Sequence, residues 1–357
     1  MPAYNQTTIS IIELPDFSRV PEGVPWAIDT MSLAHKLGCR NRTLMGLILN
    51  REKHYSAFFI RKKSGGQRPI HAPSPRLKFL QTRLLKRFFT NIEYPPHIAA
   101  YVPERTTRYS AEFHAKKKVV IIIDLKDFFT STRRAWVRRA MQSYFNQPFE
   151  VASAIADIVS VPIMTGKGKR YVVPQGAPTS GAVCNWVAHV RMDIPLLELC
   201  AKWGMTYTRY ADDLAFSCDK EMSKTEVNRF IRQVVKIIGK AGYEINKKKL
   251  RVTRPGRQQR LLGMTINEKP NIIRDQYRAL RARIHNCKYK GFDAVAQEMK
   301  LVSGEALMSQ LRGKISYYSM INAEKAQKLN AQLIDAVAHH AQILQPVQGD
   351  PLLQTGE

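Results

Sequence analysis

The residues with the clearest chemical potential in this chain are two adjacent carboxylates, Asp212 and Asp213, within the stretch 207–216. The residues on either side are aromatic, β-branched or aliphatic and predict two strands, and Asp tolerates the turn between them. Two adjacent carboxylates repel each other, so a bound divalent cation would be needed to keep both ionised at neutral pH. By itself, this stretch is also typical of an ordinary acidic hairpin turn.

A third carboxylate, Asp124, ends the unbroken aliphatic run 119–123, which is short enough for a strand buried on both faces. A carboxylate at the end of such a strand lies at the rim of the core. With Asp212 and Asp213 it would supply hard oxygen ligands from two strands, which Mg²⁺ prefers. Two such ions about 4 Å apart could activate a nucleotide 3′-hydroxyl and stabilise the departing pyrophosphate. Asp124 could instead cap the next helix.

The composition of the chain favours a nucleic-acid partner. Its 357 residues suggest two or three domains, and 56 Lys and Arg against 29 Asp and Glu give a formal net charge of +27. A protein that holds a phosphate backbone needs such an excess, whereas a metabolic enzyme does not. We find no long apolar span and no signal-peptide pattern, so no membrane partner is expected. Five scattered cysteines without a Cys-x-x-Cys pair favour a reducing cytoplasm over a disulfide framework or a zinc site.

The elements that position the carboxylates can be predicted from apolar spacing and turn residues. Two short helices are expected within 29–50, followed by a strand, a Gly-Gly turn and a second strand within 55–70. Further helices are predicted over 74–88, 136–163 and 223–240, the last with a capping box formed by Ser223 and Glu226. The run 261–266 predicts one short strand, and only helices are expected from Asp275 onward.

Basic residues form three groups that could contact phosphates, although each group could also be simple solvated charge. The residues around the Gly-Gly turn could close over a triphosphate: Arg61, Lys62, Lys63 and Arg68. One lysine of a short run could protonate departing pyrophosphate: Lys247, Lys248 or Lys249. Arginines before and within the first C-terminal helix could bind RNA: Arg254, Arg257, Arg260, Arg274, Arg278 and Arg281.

The stretch 171–181 has turn chemistry and opens a predicted helix. Gly176 would let a nucleotide approach the backbone closely, because glycine has no Cβ atom. The amide of Gln175 could meet an incoming sugar or base. Without its neighbours, this stretch is more typical of a plain loop.

Taken together, these stretches resemble reverse transcriptases, specifically the bacterial retron type, over roughly residues 55–266. The motifs that carry the resemblance are Tyr-Ala-Asp-Asp at 210–213, the aliphatic strand ending in Asp124, and Pro-Gln-Gly-Ala-Pro-Thr-Ser at 174–180. The run Ser-Ala-Glu-Phe-His at 110–114 is similar to the retron Asn-Ala-x-x-His signature, and the lack of an appended maturase or endonuclease region also favours this subclass. Only Gly263 matches the retron Val-Thr-Gly signature, and Gly181 stands where proline is usual.

This resemblance implies roles for particular residues. Asp124, Asp212 and Asp213 would be the catalytic, metal-binding triad. Residues implied near the incoming nucleotide are Arg61, Lys62, Lys63, Arg68, Phe129, Gln175 and Gly176. Among these, Phe129 would exclude a ribose 2′-hydroxyl and so favour deoxynucleotides. The residues implied to grip the primer end are Leu262, Gly263 and Met264.

The resemblance also implies a fold, an α/β (α+β) right-hand polymerase whose fingers and palm contain an antiparallel sheet and precede an α-helical thumb. The expected organisation is an N-terminal arm with short helices (1–50), fingers and palm (51–268), thumb (269–345) and a loose C-terminal tail (346–357). The reaction would be template-directed addition of deoxynucleoside triphosphates on RNA, with two Mg²⁺ ions.

A retron enzyme would copy part of a cognate structured noncoding RNA into a branched RNA–DNA hybrid that starts at a guanosine 2′-hydroxyl. Such systems commonly serve antiphage defence, with a separate effector protein as partner. One alternative is another bacterial reverse transcriptase, of the diversity-generating, abortive-infection or group II intron type. The others are an RNA-dependent RNA polymerase, against which Phe129 argues, and a non-catalytic RNA-binding scaffold.

Overall fold

The structure is a computed structural model that describes residues 25–61, 65–166 and 168–343. These residues belong to two compact units, one ending at Arg257 and the other beginning at Gln258. Most of the predicted N-terminal arm, the C-terminal tail, and Lys62 and Lys63 lie outside the described residues. Within the described ranges, no helix combines the length and the apolar character needed to cross a membrane.

The first unit mixes helices with antiparallel strands. Its described α-helices are α1 (Thr30–Leu37), α2 (Asn41–Leu49), α3 (Pro75–Arg87), α4 (Thr107–Glu112), α5 (Phe128–Ser131), α6 (Arg134–Ser143), α7 (Phe149–Ile158), α8 (Ser180–Ala188), α9 (Ile194–Trp203) and α10 (Lys224–Ala241). Its described strands are β1 (Tyr55–Arg61), β2 (Gln67–Pro73), β3 (Val119–Asp124), β4 (Val161–Thr165), β5 (Gly168–Val172), β6 (Thr206–Tyr210), β7 (Asp213–Cys218) and β8 (Arg251–Thr253). Short 3₁₀ segments lie at Arg51–His54, Phe89–Asn91 and Lys247–Lys249, and a π-helical segment at His189–Asp193 joins α8 to α9.

A four-stranded antiparallel sheet in the order β6-β7-β3-β8 forms the centre of this unit. Every residue of β3 is buried, as its unbroken aliphatic run predicts for a strand with neighbours on both sides. One face of the sheet packs on α10, where Phe230 lies edge-on against Phe216 of β7. Phe216 in turn stacks on Tyr207, its cross-strand partner in β6. The sheet is therefore anchored by apolar packing on this face.

Several predicted elements are confirmed. β1 and β2 pair in antiparallel register from Tyr55↔Pro73 to Arg61↔Gln67, which confirms the two strands predicted within 55–70. The two short helices at the start of the described chain are α1 and α2, and the helices predicted over 74–88 and 223–240 are α3 and α10. At α10 the capping box is present, because Ser223 N–H donates to Glu226 Oε2 and Glu226 N–H donates to Ser223 Oγ.

The helical structure predicted over 136–163 is confirmed at α6 and α7 but is wrong at residues 161–163. α6 ends at Ser143, α7 begins after Pro148, and Val161–Thr165 is strand β4, which pairs with β5. The break lies at Asn146, whose φ of 49° is left-handed and cannot continue a helix. The residues Tyr171 and Val172, predicted as part of a turn, belong to β5. In the sequence, the helix-like spacing of apolar residues continues from α6 and α7 into β4, so the strand was not predicted.

The second unit combines a small sheet with four described helices. Its described elements are β9 (Arg260–Leu261), β10 (Met264–Thr265), β11 (Asn271–Ile272), α11 (Arg274–Lys290), α12 (Phe292–Glu298), α13 (Gly304–Ile321) and α14 (Ala323–Ile343). The helical character predicted after Asp275 is confirmed. The single strand predicted over 261–266 is wrong, because Leu262 and Gly263, with φ of 48° and 81°, form a two-residue hairpin turn between β9 and β10.

Candidate active site

The three predicted carboxylates meet at one end of the central sheet. Asp124 lies directly opposite Asp213 in the register of β3 and β7, so both side chains leave the same face. The Asp212 carbonyl accepts a hydrogen bond of 2.9 Å from the Leu125 N–H, which ties the hairpin turn to the end of β3. Asp124 is only 6% exposed, and the other two are partly buried. The structure therefore brings together the acidic residues that the sequence singled out.

The hairpin turn that presents Asp212 is tight. Tyr210 pairs with Asp213, so Ala211 and Asp212 alone form the turn between β6 and β7. Ala211 has a φ of 57°, which is unfavourable for a residue with a Cβ atom by about 1–2 kcal/mol. The surrounding sheet must maintain this conformation, as is common at functional sites.

Burial and neighbouring negative charge raise the pKa values of Asp212 and Asp213. Burial raises the pKa of Asp212, and the negative charge of Asp124 adds to this effect. Burial, followed by the charges of Asp212 and Asp124, raises the pKa of Asp213 to about 6. A cation close to all three oxygen donors would reverse this mutual repulsion.

One of the three candidate lysines reaches the carboxylates. Lys249 Nζ lies 2.6 Å from Asp124 Oδ2, and the hydrogen bond to Asp124 raises the pKa of Lys249. The Lys249 side chain remains 56% exposed, so it can move without unpacking the core. Lys247 and Lys248 lie in the same 3₁₀ segment and are exposed. The structure thus distinguishes Lys249 from its two neighbours.

The described residues that were predicted to contact the nucleotide lie on β1, β2, α5 and the loop that follows β5. Arg61 ends β1, and Arg68 lies in β2, where its positive charge counteracts the raised pKa of Asp212. Phe129 is the second residue of α5, and its ring packs edge-on against Phe128 and Tyr101 at centroid distances of 5.6 and 6.1 Å.

The loop that carries Gln175 and Gly176 is hydrogen-bonded to strand β2. The His71 N–H of β2 donates to the Gln175 carbonyl at 2.8 Å. Gly176 has a φ of 121°, and a Cβ atom there would lie 2.8 Å from Ile70 Cγ2. In the structure it is therefore strand β2 that lies close to the backbone of Gly176. A side chain at this position would clash with β2 and displace the β1–β2 hairpin.

The predicted primer-grip residues lie in the second unit. Leu262 and Gly263 form the β9–β10 turn, and Met264 is fully buried beneath it. Tyr317 of α13 donates a hydrogen bond of 3.4 Å to the Leu262 carbonyl, so the turn is held against a helix. Burial of the Met264 side chain, directly after the turn, helps to hold the turn in place.

The predicted RNA-binding arginines are all exposed and are divided between the two units. Arg254 donates to the Met222 carbonyl at 2.7 Å, and Arg257 follows in the same loop of the first unit. The remaining ones, in the second unit, are Arg260, Arg274, Arg278 and Arg281. The last three lie three or four residues apart on α11, which places them along one side of that helix.

A buried ion pair that was not predicted from the sequence lies behind the acidic hairpin. Arg209, which precedes Tyr210, is fully buried, and its Nη2 lies 2.7 Å from Asp193 Oδ2. Arg209 also donates to Asn185 Oδ1 of α8 at 3.0 Å, and Tyr207 OH donates to Asp193 Oδ1 at 2.9 Å. A charged residue on the same inward face as Tyr207 was the available signal, because alternate strand residues share a face.

Asp193 of this ion pair also lies close to His97 and His189. One potential metal-ligand atom from each of the three side chains lies within 4.8 Å of the others. The Asp193 carboxylate, however, already accepts hydrogen bonds from Arg209 and Tyr207. Burial alone would raise the pKa of Asp193, but the charge of Arg209 and its hydrogen bonds outweigh burial and lower it. A guanidinium at this distance would repel a metal ion, so this cluster is an ion-pair network that supports the sheet.

The signature-like run 110–114 has a structural role. His114 is fully buried and bridges the two strands of the acidic hairpin, with Nδ1 2.7 Å from Ser217 Oγ and Nε2 2.8 Å from Thr208 Oγ1. Ser110 Oγ lies 2.8 Å from the same Thr208 hydroxyl. The serine that replaces the usual asparagine therefore still makes a hydrogen bond, and the run fastens α4 to β6 and β7.

His114 should make the stability of the protein depend on pH. Burial lowers the pKa of His114 to about 3, from about 6.5 in the unfolded chain. The neutral form is therefore needed for folding, so its contribution is complete above pH 6.5 and is lost as the pH falls toward 3. We expect His114→Gln to lose less stability than wild type between pH 7.5 and 5.5, by about 1–2 kcal/mol in urea titrations. The same change at exposed His35 should leave the wild-type pH dependence intact.

With this geometry established, comparison with known proteins identifies the family. Residues 60–266, more than half of the chain, match the family model described as reverse transcriptase (RNA-dependent DNA polymerase). The chain belongs to this family. Membership implies a right-hand polymerase fold that depends on a divalent metal, and the mixed helices and antiparallel sheets agree with it.

Comparison with individual proteins shows which kind of reverse transcriptase this chain is similar to. The chain is 35% identical to the retron Mx65 reverse transcriptase of Myxococcus xanthus over 294 residues, which cover 78% of this chain and 64% of that protein. It is 31% identical to the retron Mx162 reverse transcriptase of the same organism, over 85% of this chain and 66% of that protein. Identity to the retron Ec86 reverse transcriptase of Escherichia coli is 28%, over 68% of this chain and 73% of that protein.

These matches confirm the predicted resemblance to retron-type reverse transcriptases. The chain spans just under two thirds of the length of the two Myxococcus relatives.

Proposed function

We propose that this chain is the RNA-directed DNA polymerase of a retron. It copies part of a cognate structured noncoding RNA into a branched RNA–DNA hybrid and uses deoxynucleoside triphosphates as substrates. The observation that carries this proposal is the pairing of Asp124 with Asp213, with Asp212 beside them, in a chain of net charge +27. A scaffold that only binds RNA gains nothing from three mutually repelling carboxylates in a cationic protein.

The carboxylate cluster fits a divalent metal, and we propose Mg²⁺, with two ions in the working site. The donor atoms are carboxylate oxygens, which hard cations prefer. Burial and neighbouring carboxylates raise the pKa values of Asp212 and Asp213. A bound cation would offset both effects and stabilise the ionised carboxylates. Asp124, Asp212 and Asp213 would hold the ions, and the bound metal would activate the attacking hydroxyl and neutralise charge on departing pyrophosphate.

The other proposed roles follow the hand-like organisation of the family. The β1–β2 hairpin would be the fingers, the four-stranded sheet the palm and helices α11–α14 the thumb. The residues proposed to contact the nucleotide are Arg61, Lys62, Lys63, Arg68, Phe129, Gln175 and Gly176. The exposed arginines of both units would bind the phosphates of RNA and product, and Leu262, Gly263 and Met264 would hold the primer end.

Lys249 is our candidate for the general acid, because it is the lysine hydrogen-bonded to Asp124. Lys249→Gln should lower kcat for nucleotide addition by about 100-fold or more, since a positioned proton donor contributes roughly 10²–10⁴-fold. Lys248→Gln is the matched control from the same segment and should change kcat less than about twofold. Single-turnover extension on a primed RNA template would measure both variants. Equal effects of the two substitutions would exclude a special role for Lys249.

The retron assignment predicts which nucleic acid accompanies the protein. We expect material recovered from purified protein to contain a small DNA joined through a 2′–5′ bond to RNA, which a debranching enzyme would separate. Unbranched DNA primed from a 3′-hydroxyl would instead indicate another subclass of bacterial reverse transcriptase. A separate effector protein, a role in antiphage defence and a cytoplasmic location stay predictions of the retron resemblance and the cysteine pattern.

A further inference from the structure

Tyr101 is an exposed aromatic residue held in an unfavourable backbone conformation. Its φ is 57° and its side chain is 54% exposed, although bulky residues avoid the left-handed region. Two hydrogen bonds fix the chain directly before it. The Ala99 N–H donates to the Arg209 carbonyl of β6 at 2.9 Å, and Asn185 Nδ2 of α8 donates to the Ala100 carbonyl at 2.7 Å. The elements that carry the acidic hairpin therefore also place the Tyr101 ring.

The Tyr101 ring occupies the space that a side chain at position 181 would need. A Cβ atom on Gly181 would lie only 2.6 Å from Tyr101 Cδ1, closer than such atoms approach. Gly181 lies in the first turn of α8, where glycine is less favourable than alanine. The glycine that replaces the usual proline is thus explained by the ring that covers it.

On its other side, the Tyr101 ring supports Phe129. The two rings meet edge-to-face, with centroids 6.1 Å apart and an interplanar angle of 69°. Phe128 contacts Phe129 from a second direction, so the Phe129 ring is held between two aromatic neighbours. Partial burial, with the charge of Asp212 as the next cause, raises the pKa of Tyr101 to about 12, so the hydroxyl stays neutral near the carboxylates.

We propose that Tyr101 is a positioning residue for sugar selection, seated on Gly181 and holding the Phe129 ring in the orientation that blocks a ribose 2′-hydroxyl. This inference rests on the proposed role of Phe129. Tyr101 acts through its ring and not through its hydroxyl, because the contacts with Gly181 and Phe129 are made by ring atoms.

Single-nucleotide addition of dGTP and GTP by the full-length protein on a primed RNA template would test this inference. The readout is the ratio of kcat/KM for dGTP to that for GTP. Tyr101→Ala should lower this ratio about tenfold, as expected for loss of an aromatic contact. Tyr101→Phe should keep it within about twofold, and Gly181→Ala should lower it by displacing the ring. Gly46→Ala, at a helical glycine with open space around it, should leave the ratio unchanged.

Phe129→Ala separates failure of this inference from failure of the proposed function. An unchanged ratio in Phe129→Ala would remove the proposed role of Phe129 and with it the inference. A reduced ratio in Phe129→Ala beside a wild-type ratio in Tyr101→Ala would overturn the inference alone. The Tyr101→Ala/Phe129→Ala double variant should match Phe129→Ala, because one residue acts through the other. If Tyr101→Ala melts below the assay temperature, Tyr101→Leu supplies the same comparison.

Discussion

Asp213→Asn should abolish DNA synthesis and, in metal-free buffer, make the protein more stable than wild type. Activity should fall at least about a thousandfold, because losing a ligand that shapes the metal site removes several kcal/mol of transition-state stabilisation. Stability should rise because ionised Asp213 faces Asp124 across the strand pair, with Asp212 next to it, and its pKa is raised to about 6. An asparagine side chain has nearly the same shape as aspartate but carries no charge, so it removes the repulsion from Asp124 and Asp212.

The expected gain is about 1–2 kcal/mol at pH 7.5 after allowance for partial exposure, or about 2–6 °C in melting temperature. Thermal melting in EDTA and primer extension in Mg²⁺ would measure the two effects on the same preparations. Mg²⁺ should raise the melting temperature of wild type more than that of Asp213→Asn, since binding to the folded state adds stability.

Asp219→Asn is the matched control, because Asp219 directly follows β7, is 74% exposed and pairs with Lys117 on the surface. It should retain wild-type extension and melt within about 1 °C of wild type, as expected for an exposed ion pair. A loss of both activity and stability in Asp213→Asn would instead indicate that Asp213 stabilises the sheet. Substantial activity in Asp213→Asn would contradict the proposed triad.

The acidic site was predictable because local rules and tertiary structure agree there. The aliphatic run that ends in Asp124 is short enough for a buried strand, and the apolar flanks of Asp212 and Asp213 favour a hairpin. The register of β3 with β7 then brings the three carboxylates together. Helices with clear start signals and one apolar face were predictable for the same reason, such as α3 with Pro75 in its first turn and α10 with its capping box.

The predicted elements were wrong where the apolar pattern of one element continued into the next. The stretch that forms α6, α7 and β4 was predicted to be helical throughout, although Asn146, a residue type that tolerates the left-handed region, and Pro148 were available signals of the break. The β9–β10 turn was missed because Leu262 adopts a φ of 48°, which sequence rules assign to Gly, Asn or Asp. At Leu262 the tertiary structure imposes a conformation that the residue itself does not prefer.

The supports of the site could not be predicted, because each joins residues far apart in sequence. Tyr101 meets Gly181 from the end of a loop, and Arg209 meets Asp193 from a different element. A buried charge has no local pattern beyond its place on an inward face, so its partner is known only from the fold.

Asp193→Ala should be the most destabilising single change behind the acidic hairpin, by about 3–5 kcal/mol, because it leaves the fully buried Arg209 guanidinium unpaired. DNA synthesis should fall with it even at temperatures where the variant stays folded. Without Asp193, the strand that leads into Asp212 loses its side-chain attachment to the π-helical segment, and Arg209 keeps its hydrogen bonds to Asn185 of α8. Urea titration and primer extension at reduced temperature would measure the two effects.

Glu324→Gln provides the control, since Glu324 forms an exposed ion pair with Lys328 whose side chains are 76% and 64% exposed. That change should cost less than about 0.5 kcal/mol. Replacing both buried partners, as Asp193→Leu/Arg209→Met, should recover stability relative to Asp193→Ala, because matched apolar groups leave no unpaired charge. It should not recover activity, because an apolar pair cannot hold the β6 strand to Asn185. Full activity in the double variant would show that the ion pair only fills the core and does not position the hairpin.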